Sequence, residues 1–270
     1  MAFTDFQRRL CHLLTDRRRA GGESYVAGGE AMGVVLDSRR LSRDLDLFHD
    51  TTEAVARSWD ADRALLLAAG YGINVLRERP GFVQAEASRG GDRLLIEWTR
   101  DSAFRFFPLV EHPDLGLTLH PFDLATNKVL ALIGRAEVRD WVDVLHCHMH
   151  VQPLGYLAWA ACGKDPGFTP TGVLEHARRS SHYSAPEVAA LDFGGEPPDA
   201  VALSHQWRLA VDQASEIVRT LPASEVGKAV LANDAAPFRG DVVELRDVVG
   251  SGILFHAGRI GGALPVTRLP

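Results

Sequence analysis

Two aspartates two residues apart open the run Asp44-Leu45-Asp46-Leu47-Phe48-His49. On a strand, residues two apart project from one face. Asp44 and Asp46 therefore point together, while Leu45 and Leu47 turn into a core. Two carboxylates held side by side repel each other unless a cation sits between them. Hard oxygen ligands of this kind suit Mg²⁺ or Mn²⁺, and Mg²⁺ usually takes one or two carboxylates plus the phosphates of a substrate. Upstream, Gly28-Gly29 ends a strand and opens a helix. A Gly-Gly turn lets backbone come close to a phosphate, and the helix N-terminus behind it favours an anion. A loop carrying Arg39, Arg40 and Ser42 joins that helix to the aspartate strand. Taken singly, an Asp-x-Asp pair is usually solvated surface and Gly-Gly is usually a turn. In this order they code a metal site and a phosphate cradle in one short unit.

This arrangement resembles the nucleotidyltransferase superfamily that includes DNA polymerase beta. Its signature is Gly-Gly or Gly-Ser, a spacer, then Asp-x-Asp on a strand. Here the spacer runs from residue 30 to residue 43, slightly long for the general signature. A closer resemblance is to the AbiEii/AbiGii-type nucleotidyltransferase toxins. Their Gly-Gly helix is followed by R-x-S-x-D-[LI]-D-[LF], matched by Arg40, Ser42, Asp44 and Asp46. A second family block, K-x-x-A-L-x-x-R-x-x-x-R-D-x-x-D, is matched by Lys128, Arg135, Arg139, Asp140 and Asp143. The resemblance covers about residues 20–150. It implies a catalytic set of Asp44, Asp46, Glu97, Lys128 and Asp143. It implies metal ligands Asp44, Asp46 and Glu97, and nucleotide contacts from Gly28, Gly29, Arg40, Ser42, Lys128 and Arg135. It further implies a nucleoside triphosphate (NTP) substrate, a tRNA 3′ end or a protein hydroxyl as acceptor, and a toxin–antitoxin setting with a cognate antitoxin.

The second block also reads on its own. Lys128, Leu132 and Arg135 share one helical face, which presents two cations fit for a triphosphate. Asp140 and Asp143 sit at i and i+3 on the next helix. The plainer reading is a solvated helix pair with an Arg139–Asp143 ion pair. Glu97, within Leu94-Leu95-Ile96-Glu97-Trp98-Thr99, is an acid in an otherwise apolar strand and is the candidate third carboxylate. Glu86, on the preceding strand, is the alternative. Glu97 or Asp143 would serve as general base. His146, His148 and His150 invite a zinc reading, but on a helix only His146 and His150 share a face, and no second ligand cluster accompanies them. Arg8, Arg9, Arg17, Arg18, Arg19, Arg39 and Arg40 form either a basic lip for RNA or a solvated face.

These residues need a scaffold. Apolar spacing predicts an amphipathic helix over residues 3–19 and a strand over 24–27. A helix follows over 30–36, the strand Asp44–His49 next, then a helix over 52–69. Strands over 73–79, 82–87 and 93–99 form a meander turned at Pro80-Gly81 and Gly90-Gly91. Residues 106–120 read as extended. Helices follow over 122–135, Val138–His150, 153–162, Pro170–Arg179 and 200–221. Residues 242–269 carry short β-like runs (VVEL, ILFH). The expected fold is therefore α/β (α+β), a small mixed sheet with flanking helices followed by a mainly helical part. The expected divisions are a nucleotidyltransferase core (1–120), a helical part contributing the Lys/Asp block (121–235) and a β-like C-terminal segment (236–270).

Composition agrees with a globular chain. Of 270 residues, 46% are hydrophobic and 24% charged, which excludes disordered, collagen-like and coiled-coil classes. A net charge of −6 gives no global footprint for nucleic acid. Three cysteines without a CxxC pair suit a reducing, cytoplasmic setting. No run reaches the ~18 apolar residues of a membrane span, and the N-terminal stretch lacks the apolar region of a signal peptide. The reading favoured is metal-dependent transfer of a nucleoside monophosphate from an NTP. The rivals are a small-molecule (aminoglycoside-like) nucleotidyltransferase and a non-catalytic nucleotide- or partner-binding module.

Overall fold

The computed structural model describes residues 4–42, 44–179, 183–250 and 252–266. Phe3, the first apolar position of the N-terminal helix pattern, lies outside them. The chain runs α1 (Asp5–Gly21), β1 (Ser24–Val26), α2 (Gly28–Val35), β2 (Asp44–His49), α3 (Thr52–Ala68), β3 (Gly72–Arg79), β4 (Phe82–Arg89) and β5 (Asp92–Arg100). It continues through β6 (Phe104–Arg105), β7 (Val110–His112), β8 (Gly116–Thr118), α4 (Pro121–Arg135), α5 (Val138–His150), α6 (Leu154–Lys164) and α7 (Pro170–Arg179). The last elements are α8 (Ala185–Ala189), α9 (Ala200–Thr220), β9 (Lys228–Ala232), α10 (Val242–Val248), β10 (Ile253–Ala257) and β11 (Arg259–Ile260). They form two compact units. One holds the chain up to Ala103 with Leu109–His120 and Phe193–Gly195; the other holds Phe104–Pro108, Pro121–Asp192 and the chain from Glu196 onward.

The first unit is built on a seven-stranded mixed sheet of order β3-β4-β5-β2-β1-β8-β7. The aspartate strand β2 lies near its centre, parallel to β5 and antiparallel to β1. Its alternation is as the sequence requires: Leu45, Leu47 and His49 are buried, while Asp44, Asp46 and Phe48 are half-buried on the opposite face. On the buried face Trp98 of β5 meets Trp59 of α3 edge-on, ring centroids 4.8 Å apart. The Trp98 indole donates to Asp62 Oδ2 at 2.8 Å, and Arg17 Nε donates to Asp62 Oδ1 at 2.7 Å. A buried carboxylate is tolerable only when paired in this way. α1 is set at its start by a reciprocal cap between Thr4 and Gln7, which satisfies two orphan donors.

Four of the five N-terminal arginines are engaged within the unit, and Arg9 is exposed. Arg17 is held by Asp62, Arg19 by Glu111 at 2.8 Å, and Arg8 by Asp5 at 3.4 Å. Arg18 is buried and donates to the Leu115 carbonyl at 2.7 Å. They bind the unit's own carboxylates and carbonyls because α1 packs against α3 and β8.

The second unit is mainly helical. Tyr156, Trp159, Ile217, Leu221, Val230 and Leu245 form one of its core clusters, with β9 of the antiparallel pair β9–β10 against α6. The VVEL run, read as β-like, is instead the start of α10. Asp241 caps it, accepting from the Val243 and Glu244 amides at 2.8 and 3.0 Å, while Glu244 returns a bond to the Asp241 amide. A capping box outweighs the strand preference of two valines. The ILFH run does form strand β10. Helix α8 is one short turn, below the length at which apolar periodicity registers. Among the described residues no helix is long and apolar enough to cross a membrane.

His49 is fully buried on β2, and burial pushes its imidazole down to about 4. The unfolded chain therefore takes up this proton first as pH falls. His49 costs nothing above its ordinary value of 6.5, and stability is lost between pH 6.5 and about 4. His49→Leu should flatten that acid limb. Melting temperatures of both proteins across the window check it; parallel curves would mean that other groups carry the acid sensitivity.

Candidate functional site

In the first unit the Gly-Gly turn and the aspartate strand are in direct apposition. Gly28 has φ +69°, a left-handed conformation that glycine adopts at no steric cost. A Cβ at Gly28 would lie 1.8 Å from Asp46 Oδ2, so backbone and carboxylate are packed with no room for a methyl group. A Cβ at Gly29 would meet Arg40 Nη2 and Ser42 Oγ, each at 2.8 Å. The two glycines thus let the turn sit directly against all three kinds of side chain singled out in the sequence: aspartate, arginine and serine. Ser42 Oγ donates to the Asp44 carbonyl at 3.3 Å, tying the loop to the start of β2.

Glu97 is the lateral neighbour of Asp46. The two are register partners on the parallel strands β2 and β5, and both are half-buried. Partners on adjacent strands share a face, with backbones ~4.8 Å apart. Glu97 Oε1 accepts from Gln84 Nε2 of β4 at 2.6 Å. Glu86, the other candidate, pairs instead with Arg93 at 3.3 Å. Among the described residues no three His, Cys, Asp or Glu side chains are gathered closely enough to hold a metal ion between them. The Asp44/Asp46 pair is nonetheless the donor chemistry that Mg²⁺ accepts, since two carboxylates leave the remaining positions to water and phosphate oxygens.

One acid at this site went unnoticed in the sequence. Glu30, in the first turn of α2, is only 1% exposed. Burial, with Asp46 and Asp44 adding negative charge nearby, pushes its carboxyl up to about 9 against the pull of Arg40. The available signal was an acidic residue inside the apolar stretch that follows the Gly-Gly turn.

The Lys/Asp block lies in the second unit and differs from expectation. Lys128 is buried rather than presented on a surface, and its Nζ lies 2.7 Å from Asp143 Oδ2 and 3.5 Å from Asp140 Oδ1. Arg135 grips Asp140 with both Nε and Nη2, at 2.6 and 2.8 Å. Asp140 and Asp143 are fully buried. Arg139 pairs with Glu137 at 2.6 Å, not with Asp143. The face of α4 that carries Lys128 and Arg135 is turned onto α5, and the cations neutralise the two aspartates there. Asp143, committed to Lys128, is a poor general base. His146 and His150 do share a face of α5, stacked at 4.2 Å, and His148 Nδ1 accepts from the Leu154 amide at 3.0 Å.

No family model matches this sequence, and no curated protein is significantly similar to it. Solved structures are similar in fold. MenT4, a nucleotidyltransferase toxin from Mycobacterium tuberculosis, superposes with a TM-score of 0.50 over 80% of this chain and 83% of its own, at 15% identity. JHP933 from Helicobacter pylori superposes with a TM-score of 0.51 over 80% of this chain and 95% of its own, at 13% identity. The likeness spans both compact units in extent, and at these identities it is one of fold.

The burial of the Lys128–Asp143 pair reverses the stability expected of a surface ion pair. Lys128→Ala leaves Asp143 buried and uncompensated, which should cost about 3–5 kcal/mol. The double replacement Lys128→Met with Asp143→Leu should recover most of that loss, because no buried charge remains. Denaturant unfolding of the three proteins checks this. A single variant as stable as the parent would mean that the pair contributes nothing.

Proposed function

We propose that the protein is a metal-dependent nucleotidyltransferase that moves a nucleoside monophosphate from an NTP to an acceptor hydroxyl. One observation carries the reading. The Gly28 backbone is seated against the Asp46 carboxylate, so a phosphate-approaching turn and a carboxylate pair that suits a divalent cation lie side by side. A nucleotidyltransferase toxin of the same fold supports it.

In this reading Asp44 and Asp46 hold Mg²⁺ or Mn²⁺. The bound ion would polarise the phosphoryl oxygens and orient attacking and leaving groups for in-line displacement. The chain's own residues supply the rest. The turn at Gly28 and Gly29 admits the triphosphate close to the backbone at the start of α2. Arg40 and Ser42, behind Gly29, neutralise charge and hold the loop. The acceptor oxygen attacks the α-phosphorus, the bond to the bridging oxygen of the β-phosphate breaks, and pyrophosphate leaves. Glu97, on the same face as Asp46, takes the proton from the acceptor hydroxyl. Glu97 is preferred to Asp143 as base because it is half-exposed, whereas Asp143 is buried in an ion pair. The acceptor proposed is the 3′ hydroxyl of tRNA, with a protein hydroxyl as the competing outcome, in a toxin role checked by an antitoxin.

Each labelled NTP, with Mg²⁺ and either tRNA or total protein, tests this directly. Transfer to RNA is expected from the unaltered chain. Asp44→Asn and Asp46→Asn should each abolish it while keeping or raising the melting temperature, since removing one of two facing charges relieves repulsion. Glu97→Gln should slow the chemical step by roughly 10²–10⁴-fold, the usual yield of a general base. Near-normal transfer by either Asn variant would remove the metal assignment.

A further inference from the structure

Gln7 is far in sequence from Glu30 and Ser42, yet its buried side chain reaches both. Its amide is used at both ends. Oε1 accepts from the Thr4 amide at 2.9 Å and closes the cap of α1. Nε2 faces the other way, donating to the Ser42 carbonyl at 3.1 Å and towards Glu30 Oε2 at 3.4 Å. One side chain on α1 therefore joins the first turn of α2 to the loop that leads into β2. Ser42 and Arg40 are the groups against which Gly29 is seated, so a shift of the Ser42 backbone would move the wall of the turn.

Glu30 supplies the opposite half of the junction. It is on the residue after Gly29, 1% exposed, and its Oε1 finds no hydrogen-bond partner among the described residues. A buried carboxyl with half its bonding capacity unused is costly. A leucine or methionine at this helical position would satisfy packing at no such cost. The arrangement makes sense if what matters is the acceptor that Glu30 offers to Gln7.

We propose that Gln7 and Glu30 are positioning residues for the nucleotide site: together they brace the Arg40–Ser42 loop against the Gly28–Gly29 turn in the arrangement that receives an NTP. The inference rests on the function proposed above. It adds that the N-terminal helix is part of the nucleotide site's support and not only of the fold.

The helix cap and the Gln7 side-chain bonds can be tested apart. Binding of ATP, CTP, GTP and UTP with Mg²⁺ is measured beside the melting temperature for the unaltered chain and its variants. Thr4→Ala removes the hydroxyl that accepts from the Gln7 amide and leaves the bonds of the Gln7 side chain, so it should lower the melting temperature and leave NTP affinity alone. Gln7→Met and Glu30→Ala remove the brace and should weaken the NTP that binds by roughly tenfold, the size of one lost buried hydrogen bond. In transfer the loss should appear in KM more than in kcat. Glu30→Gln keeps an acceptor oxygen of the same shape facing Gln7 and should rescue affinity to within about twofold of the unaltered chain, an effect smaller than one such bond. Should Gln7→Met not fold, Gln7→Glu keeps the cap acceptor, removes the donor, and should weaken binding likewise. Unchanged NTP affinity in Gln7→Met (or Gln7→Glu) and in Glu30→Ala overturns the brace. An unaltered chain that binds no NTP overturns the function itself, a different and separable result.

Discussion

The packing of the Gly28 backbone against the Asp46 carboxylate is the constraint on which the candidate site depends. A side chain at residue 28 has nowhere to go, because its first carbon would fall inside the Asp46 carboxylate. The turn must therefore be glycine, and its positive φ sends the chain directly into α2. That contact sets the distance between the start of a helix, where anions are favoured, and a carboxylate pair, where cations are favoured. The charges of the proposed ligand, a nucleoside triphosphate with a divalent ion, match these two environments.

The same chain handles buried acids in two ways. Asp62, Asp123, Asp140 and Asp143 are buried and paired with Arg17, Lys164, Arg135 and Lys128 respectively. Each lies where two elements meet, and each pair holds those elements in register. Glu30 is different. It is buried and has the Asp44/Asp46 pair as neighbours, and both push its carboxyl up. Burying a charge without a partner is costly, which pairing offsets in the scaffold and which raises the Glu30 carboxyl beside the site.

Charge carried by sequence blocks is not the same as charge available to a ligand. The arginines of α1 and the cations of α4 look alike in sequence, as basic residues at helical spacing. Both sets are largely engaged by the chain's own carboxylates and carbonyls. Spacing along a helix states which residues share a face; it does not state what the face meets.

Much of this protein was legible without coordinates. The alternation in Asp44–His49 places two acids on one face of a strand because side chains alternate with period two, whatever surrounds the strand. The Gly-Gly turn, the meander hairpins and the amphipathic helices are local too, and they appear where glycine and apolar spacing put them. The rest was decided by tertiary structure, since it depends on partners distant in sequence. Glu97 became the neighbour of Asp46 through the parallel pairing of β2 with β5. Lys128 and Asp143 were buried together because α4 packs on α5. Asp241 and Glu244 made a helix of a run whose valines favour a strand. Gln7 met Ser42 across 35 residues of chain, and the Glu30 carboxyl was pushed up by burial and by acids that sequence spacing alone leaves remote. Burial and electrostatic environment are properties of the assembled fold, and they decide which of the charged residues named by the sequence remain free to do chemistry.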